Sequence, residues 1–155
     1  MRGDSAFRAG RVAAAVILAF AAAACANGGS TLGVQQIINP TPGAPVSFAT
    51  DVQPIFTNSC IFSGCHNSND RAQGLVLQAG SSFSALLGSQ GLGLRSTEDQ
   101  NFFLVDPSHS AISYLILKLE GTQTSGSQMP LSMPPLSSPT IQVIKDWIDQ
   151  GALNN

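Results

Sequence analysis

Cys60-Ile61-Phe62-Ser63-Gly64-Cys65-His66 places two thiols just ahead of a histidine, in a chain with only three cysteines and two histidines. The order suits covalent haem attachment, as a C-x4-C-H version of the common C-x2-C-H motif. Each thiol can add across one haem vinyl group to form a thioether, and the adjacent imidazole then faces the iron. The two extra residues need a bulge. Ser63-Gly64 suits one, because glycine reaches backbone conformations closed to other residues. On spacing alone two further readings stay open. Cys60 and Cys65 also suit a small-loop disulfide with His66 merely nearby. A zinc site is the weaker alternative, since it needs about four ligands. The chain offers only Cys60, Cys65, His66 and the distant His109, with no second cysteine pair.

The chain has 155 residues, enough for one domain with a core of moderate size. Only 10% of residues are charged, which excludes a disordered acidic chain and a basic nucleic-acid binder. Fifteen glycines and nine prolines make it rich in loops.

Residues 1–24 read as a secretory signal. Arg2, Arg8 and Arg11 form its positive start, and Val12 to Ala24 is an apolar run of thirteen residues, short of the ~20 that a membrane helix needs. The run ends in Ala21-Ala22-Ala23-Ala24-Cys25. That resembles a bacterial lipoprotein signal, cleaved before Cys25 and lipidated on its thiol. Ala22 stands where leucine is expected, and ordinary cleavage after an A-x-A triplet is the plainer alternative. Lipidation of Cys25 would leave Cys60 and Cys65 as a pair. Without the first 24 residues the chain keeps four basic and eight acidic side chains, a formal charge of −4. Residues 25–45 are rich in Gly, Pro, Asn and Thr and read as a flexible tether. The folded domain is expected over 46–155. The expected location is therefore outside the cytoplasm, on the periplasmic side of a bacterial membrane, with a lipid anchor if Cys25 is the cleavage site.

Within the domain, Asp51 is the expected N-cap of a short helix with Pro54 in its first turn. Val52, Ile55 and Phe56 would form its apolar face. Leu75-Val76-Leu77 reads as extended. Ser81 or Ser82 would cap a helix over Phe83 to Leu87, stopped by Gly88. Asp106-Pro107 has the form of a helix start, and Ile112, Leu115, Ile116 and Leu119 follow at helical spacing as far as Gly121. Residues 122–139 carry four prolines and form a long loop. Ser138-Pro139 opens the last helix, whose apolar face is Ile141, Val143, Ile144, Trp147 and Ile148, and Gly151 stops it. The expected class is mainly α: about four short helices with long loops, around a centre that a haem would fill.

Iron held by one histidine has a second axial position. Met129, Met133 and His109 are the candidates. Both methionines precede prolines, which stiffen the backbone, and a thioether raises the iron potential. Read alone, they are also ordinary gap-filling side chains. His109 reads as a solvated surface residue, and Trp147 as core near the first helix. Phe56, Phe62, Phe102 and Phe103 are candidates to line a haem pocket.

From Phe48 to Ala152 the chain resembles the small c-type cytochrome domains of planctomycete and myxobacterial exported proteins. The matching pieces are Asp51-Val52-Gln53-Pro54-Ile55-Phe56, Cys65-His66, Gly74-Leu75-Val76-Leu77, Val105-Asp106-Pro107 with Ser110, Lys118-Leu119 before Gly121-Thr122, Gln128-Met129-Pro130, and Ile144-Lys145-Asp146-Trp147-Ile148 with Gly151-Ala152. The order and spacing of these pieces carry the likeness. It implies a fold like class I cytochrome c around one covalent haem c on Cys60 and Cys65. His66 would be one axial ligand and Met129 the other, with Met133 as the alternative. The C-x4-C spacing departs from the commonest motif of such domains.

Three functions follow as expectations. The first is a one-electron carrier with both axial positions closed, not an enzyme, exchanging electrons with a redox partner that the sequence does not name. The second is a haem domain with an open distal side that reacts with peroxide or binds a small ligand. The third is a haem-free, disulfide-stapled lipoprotein serving as a binding or structural module. No phosphate loop, nucleophile–base arrangement or paired-carboxylate signature is present.

Overall fold

A computed structural model describes residues 43–155. The signal segment, Cys25 and most of the tether lie outside the described residues. The fold is mainly helical. Among the described residues there is no β-strand, only an isolated antiparallel bridge between Arg95 and Phe103. Nor is any described helix long and apolar enough to cross a membrane. Among the described residues four α-helices follow in order: α1 Gln53–Ser59, α2 Ser82–Leu87, α3 Tyr114–Glu120 and α4 Ser138–Asp149.

A widened π-helical turn, Phe48–Val52, runs directly into α1. Pro54 has no N–H to donate back along the helix, and the turn ahead of it opens so that the Gln53 N–H reaches the Phe48 carbonyl. The cap is therefore Ser47 and not Asp51. The Ser47 hydroxyl accepts from the Thr50 N–H at 3.3 Å, and the Asp51 carboxylate reaches back to the Ser47 N–H at 2.8 Å. Together they form a reciprocal cap.

α4 matches the expected apolar face, with Ile141, Val143, Ile144, Trp147 and Ile148 all buried. Its cap lies one residue early, at Ser137, which accepts from the Thr140 N–H. Trp147 packs on Phe48 with ring centroids 5.0 Å apart, and Phe56 and Phe83 meet Phe48 edge-on. This aromatic cluster binds α4 to the π turn and α1. The residues flanking it are stitched together, since Asn155 accepts from the N–H groups of Ala49 and Phe48, and Gln150 bridges Ala44 and Val46.

The expected helix at Asp106-Pro107 does not form there; α3 starts at Tyr114. Tertiary bonds take up the intervening residues. The Ser108 N–H donates to the Ile148 carbonyl at 2.7 Å, and the Ser110 N–H and hydroxyl both donate to the Asp149 carboxylate. The turn thus satisfies acceptors at the end of α4. The first N–H groups of α3 find the carbonyls of Phe103 and Leu104 at 2.9 and 3.0 Å, where a helix N-terminus otherwise leaves donors orphaned. Ile112, expected on the apolar stripe, is exposed, whereas Ile116 and Leu119 are core.

Candidate functional site

α1 delivers the chain to Cys60, and a short loop returns it to the same place. The His66 N–H donates to the Cys60 carbonyl at 3.0 Å, and the Cys65 N–H donates to that of Phe62 at 3.0 Å. Gly64 takes up the extra length with a φ of 80°, a conformation that favours glycine. Asp70 braces the loop by accepting from the Gly64 N–H at 2.7 Å and from Asn67 at 2.6 Å. Those two bonds, the Asn67 side chain first, hold the Asp70 carboxyl below its usual pKa. On the other side of the motif, the Leu77 N–H donates to the His66 carbonyl at 2.7 Å. The buried Gln53 amide donates to the Leu77 carbonyl at 3.1 Å and accepts from Ser82. His66 is therefore positioned from both α1 and α2.

Cys60, Cys65 and His66 open onto a cavity of about 290 Å³, at the lower end of the roughly 300–1,000 Å³ typical of small-molecule pockets. Met129 and Met133 line the same cavity, and leucine is the commonest residue in the remaining wall, with Leu75, Leu86, Leu104 and Leu115 among them. Leu94, Leu131 and Met133 line it and are also exposed, so they stand at its mouth. The two methionines differ. Met129 packs on the core, and its N–H donates to the Lys118 carbonyl of α3 at 2.9 Å. Met133 is 42% exposed.

Cys60 and Cys65 are free thiols. Burial, with the neighbouring Cys65 adding to it, pushes Cys60 up to about 12, so it is no reactive thiolate at neutral pH. Burial also holds the His66 imidazole below its usual pKa. The carbonyls of Leu75 and Ala72 oppose that shift but leave Nδ1 buried without a hydrogen-bond partner. The ring is neutral at pH 7 and keeps a lone pair to offer a metal. One imidazole and one thioether on an apolar space beside two thiols is donor chemistry that fits iron in a covalent haem. Among the described residues no three His, Cys, Asp or Glu side chains come together to hold a metal ion, so the zinc alternative finds no ligand set there.

His109 lies away from the cavity. It is exposed, and its Nδ1 is 3.2 Å from Asp106. None of Phe56, Phe62, Phe102 and Phe103 lines the cavity. Phe56 is in the aromatic core, Phe62 is 45% exposed, Phe102 packs on Tyr114 and Phe103 lies beneath the Arg95 guanidinium.

Sequence reasoning missed a polar group in the wall: Lys118, Glu98 and Tyr114. Lys118 Nζ is 2.5 Å from Glu98, and both are largely buried. The signal was a lysine at three residues from Leu115 and four from Tyr114, on a face that is otherwise apolar.

No family model and no curated protein matches the chain. Among solved structures it is similar to the hydrazine synthase of Kuenenia stuttgartiensis. The sequence identity is 24% and the TM-score 0.46, over 69% of this chain and 16% of that one. A likeness of that size supports no functional statement.

Proposed function

We propose that the protein is a monohaem c-type cytochrome that carries single electrons. The observation that supports this reading is the convergence of Cys60, Cys65, His66 and Met129 on one apolar cavity, although residues 60–66 and 129 are far apart in the chain. Haem held there supplies a one-electron iron couple. Cys60 and Cys65 hold it as thioethers. His66, neutral and fixed from α1 and α2, would offer the iron an imidazole nitrogen. Met129, anchored to α3, would offer it a thioether, and with both donors bound the iron would exchange electrons and not bind substrates. Leucines in the wall would help to keep water away, and Leu94, Leu131 and Met133 at the mouth, with Gln73, Arg95 and Thr97 also exposed there, would face a redox partner. Export, with a lipid on Cys25 anchoring the protein at the periplasmic face of a membrane, belongs to the same reading.

The test is the intact mass and visible spectrum of the chain produced in a bacterium that matures c-type cytochromes. The expected result is the added mass of one haem and the weak far-red band of methionine-ligated ferric iron. A colourless chain two hydrogens light would mean a Cys60–Cys65 disulfide and would overturn the reading. Met129→Ala should keep the haem, abolish that band and lower the potential, while Met133→Ala should leave both unchanged. The opposite pattern would make Met133 the ligand. Labelled-lipid incorporation lost in Cys25→Ser would support the anchor.

A further inference from the structure

The segment that carries Met129 is tied to α3 at several points, and Lys118 supplies two of them. Its carbonyl accepts from the Met129 N–H at 2.9 Å. Its Nζ is 2.5 Å from Glu98 and 3.5 Å from the Ser125 carbonyl. The Tyr114 hydroxyl donates to that same Ser125 carbonyl at 2.8 Å. Between these ties Gly126 crosses the ion pair with no room to spare, since a Cβ there would sit 2.6 Å from Lys118 Nζ and 2.7 Å from a Glu98 oxygen. Gln128 completes the attachment by donating to the Leu119 carbonyl at 3.1 Å. Residues 125–129 therefore form a strap laid over a buried ion pair.

We infer that Lys118, with Glu98 as its partner and Tyr114 beside it, is a positioning residue that sets where the Met129 thioether stands in the cavity. The inference rests on Met129 being the distal ligand. A buried ion pair is weak evidence for stability, because desolvation of the two charges offsets their attraction. A neutral core would hold α3 equally well. What the pair adds is a fixed polar seat for a strap whose own residues, Ser125 to Gln128, supply little apolar anchoring.

The test uses the full chain with Lys118→Met, which keeps the stem and the backbone carbonyl. Amide hydrogen exchange is read at Met129, with Ile144 and Trp147 of α4 as references. Met129 should exchange about tenfold faster or more, as expected when a locally ordered segment loses a buried charge partner, with the references unchanged. In the haem-bearing protein the far-red band should weaken, the potential should fall, and added imidazole should displace the methionine at lower concentration. Unchanged exchange, or an equal rise at all three amides, would overturn the positioning role. Tyr114→Phe is the milder variant should Lys118→Met not fold. It should speed exchange at Met129 in the same selective way, and no change there would likewise count against the strap. The exchange arm needs no haem, so failure of haem attachment and failure of the strap give separate results.

Discussion

Gly64 has a φ of 80°, and a side chain there would meet nothing within 4 Å. Gly64→Ala therefore adds backbone strain without a clash, a loss of about 1–2 kcal/mol. Gly121 is a different case, with a φ of 76° and a Cβ position 2.9 Å from the Gln128 side chain. Gly121→Ala adds the same strain and also displaces the Gln128 amide from the Leu119 carbonyl, a further ~1 kcal/mol. Denaturant unfolding should thus rank Gly121→Ala below Gly64→Ala in stability. The reverse order would mean that Gln128 moves aside at no cost. At this scale the sequence was legible wherever residue type alone carries the chemistry. Cys60, Cys65 and His66 could be picked out by residue type and spacing as lining one cavity, Met129 only through the resemblance and beside Met133, and Gly64 as the residue that absorbs the longer spacing. Glu98 and Lys118 could not be paired, because twenty residues separate them and only the return of the 94–104 segment to α3 brings them together.

α4 was readable as an element because five apolar side chains recur at helical spacing and pack on one face. Its cap was placed one residue late. Ser137 holds the Thr140 N–H, while Ser138 already lies inside the helix. Ser137→Ala should cost about 1 kcal/mol, read as a fall in melting temperature, and Ser138→Ala should change little. An equal loss from both would indicate a cap shared between them. α3 was harder to read, and for a physical reason. Asp106-Pro107 is a sound local helix start, but the Asp149 carboxylate and the Ile148 carbonyl compete for Ser108 and Ser110. Local signals do not register bonds to residues some forty positions away.

The molecule has two unequal sides. One is the aromatic cluster of Phe48, Phe56, Phe83 and Trp147, closed by α4, in which all but the partly buried Phe83 are core. The other is the cavity wall, where Leu75, Leu104, Leu115 and Met129 are only partly buried. Side chains that border a cavity lack packing partners on that face, so this wall should be the less stable side of the haem-free chain. A ligand that binds only the folded state adds stability, and here it would add contacts on the weak side alone. In the haem-free chain, amides such as Leu77, Leu104 and Met129 should exchange faster than Ile144 and Trp147. Haem attachment should slow the first group strongly, on the order of tenfold or more, because local openings there need less than global unfolding. It should slow the α4 amides only as far as global stability rises. Equal protection of both groups in the haem-free chain would show that the wall supports itself, and the cavity would then be an adjunct to the core and not its missing half.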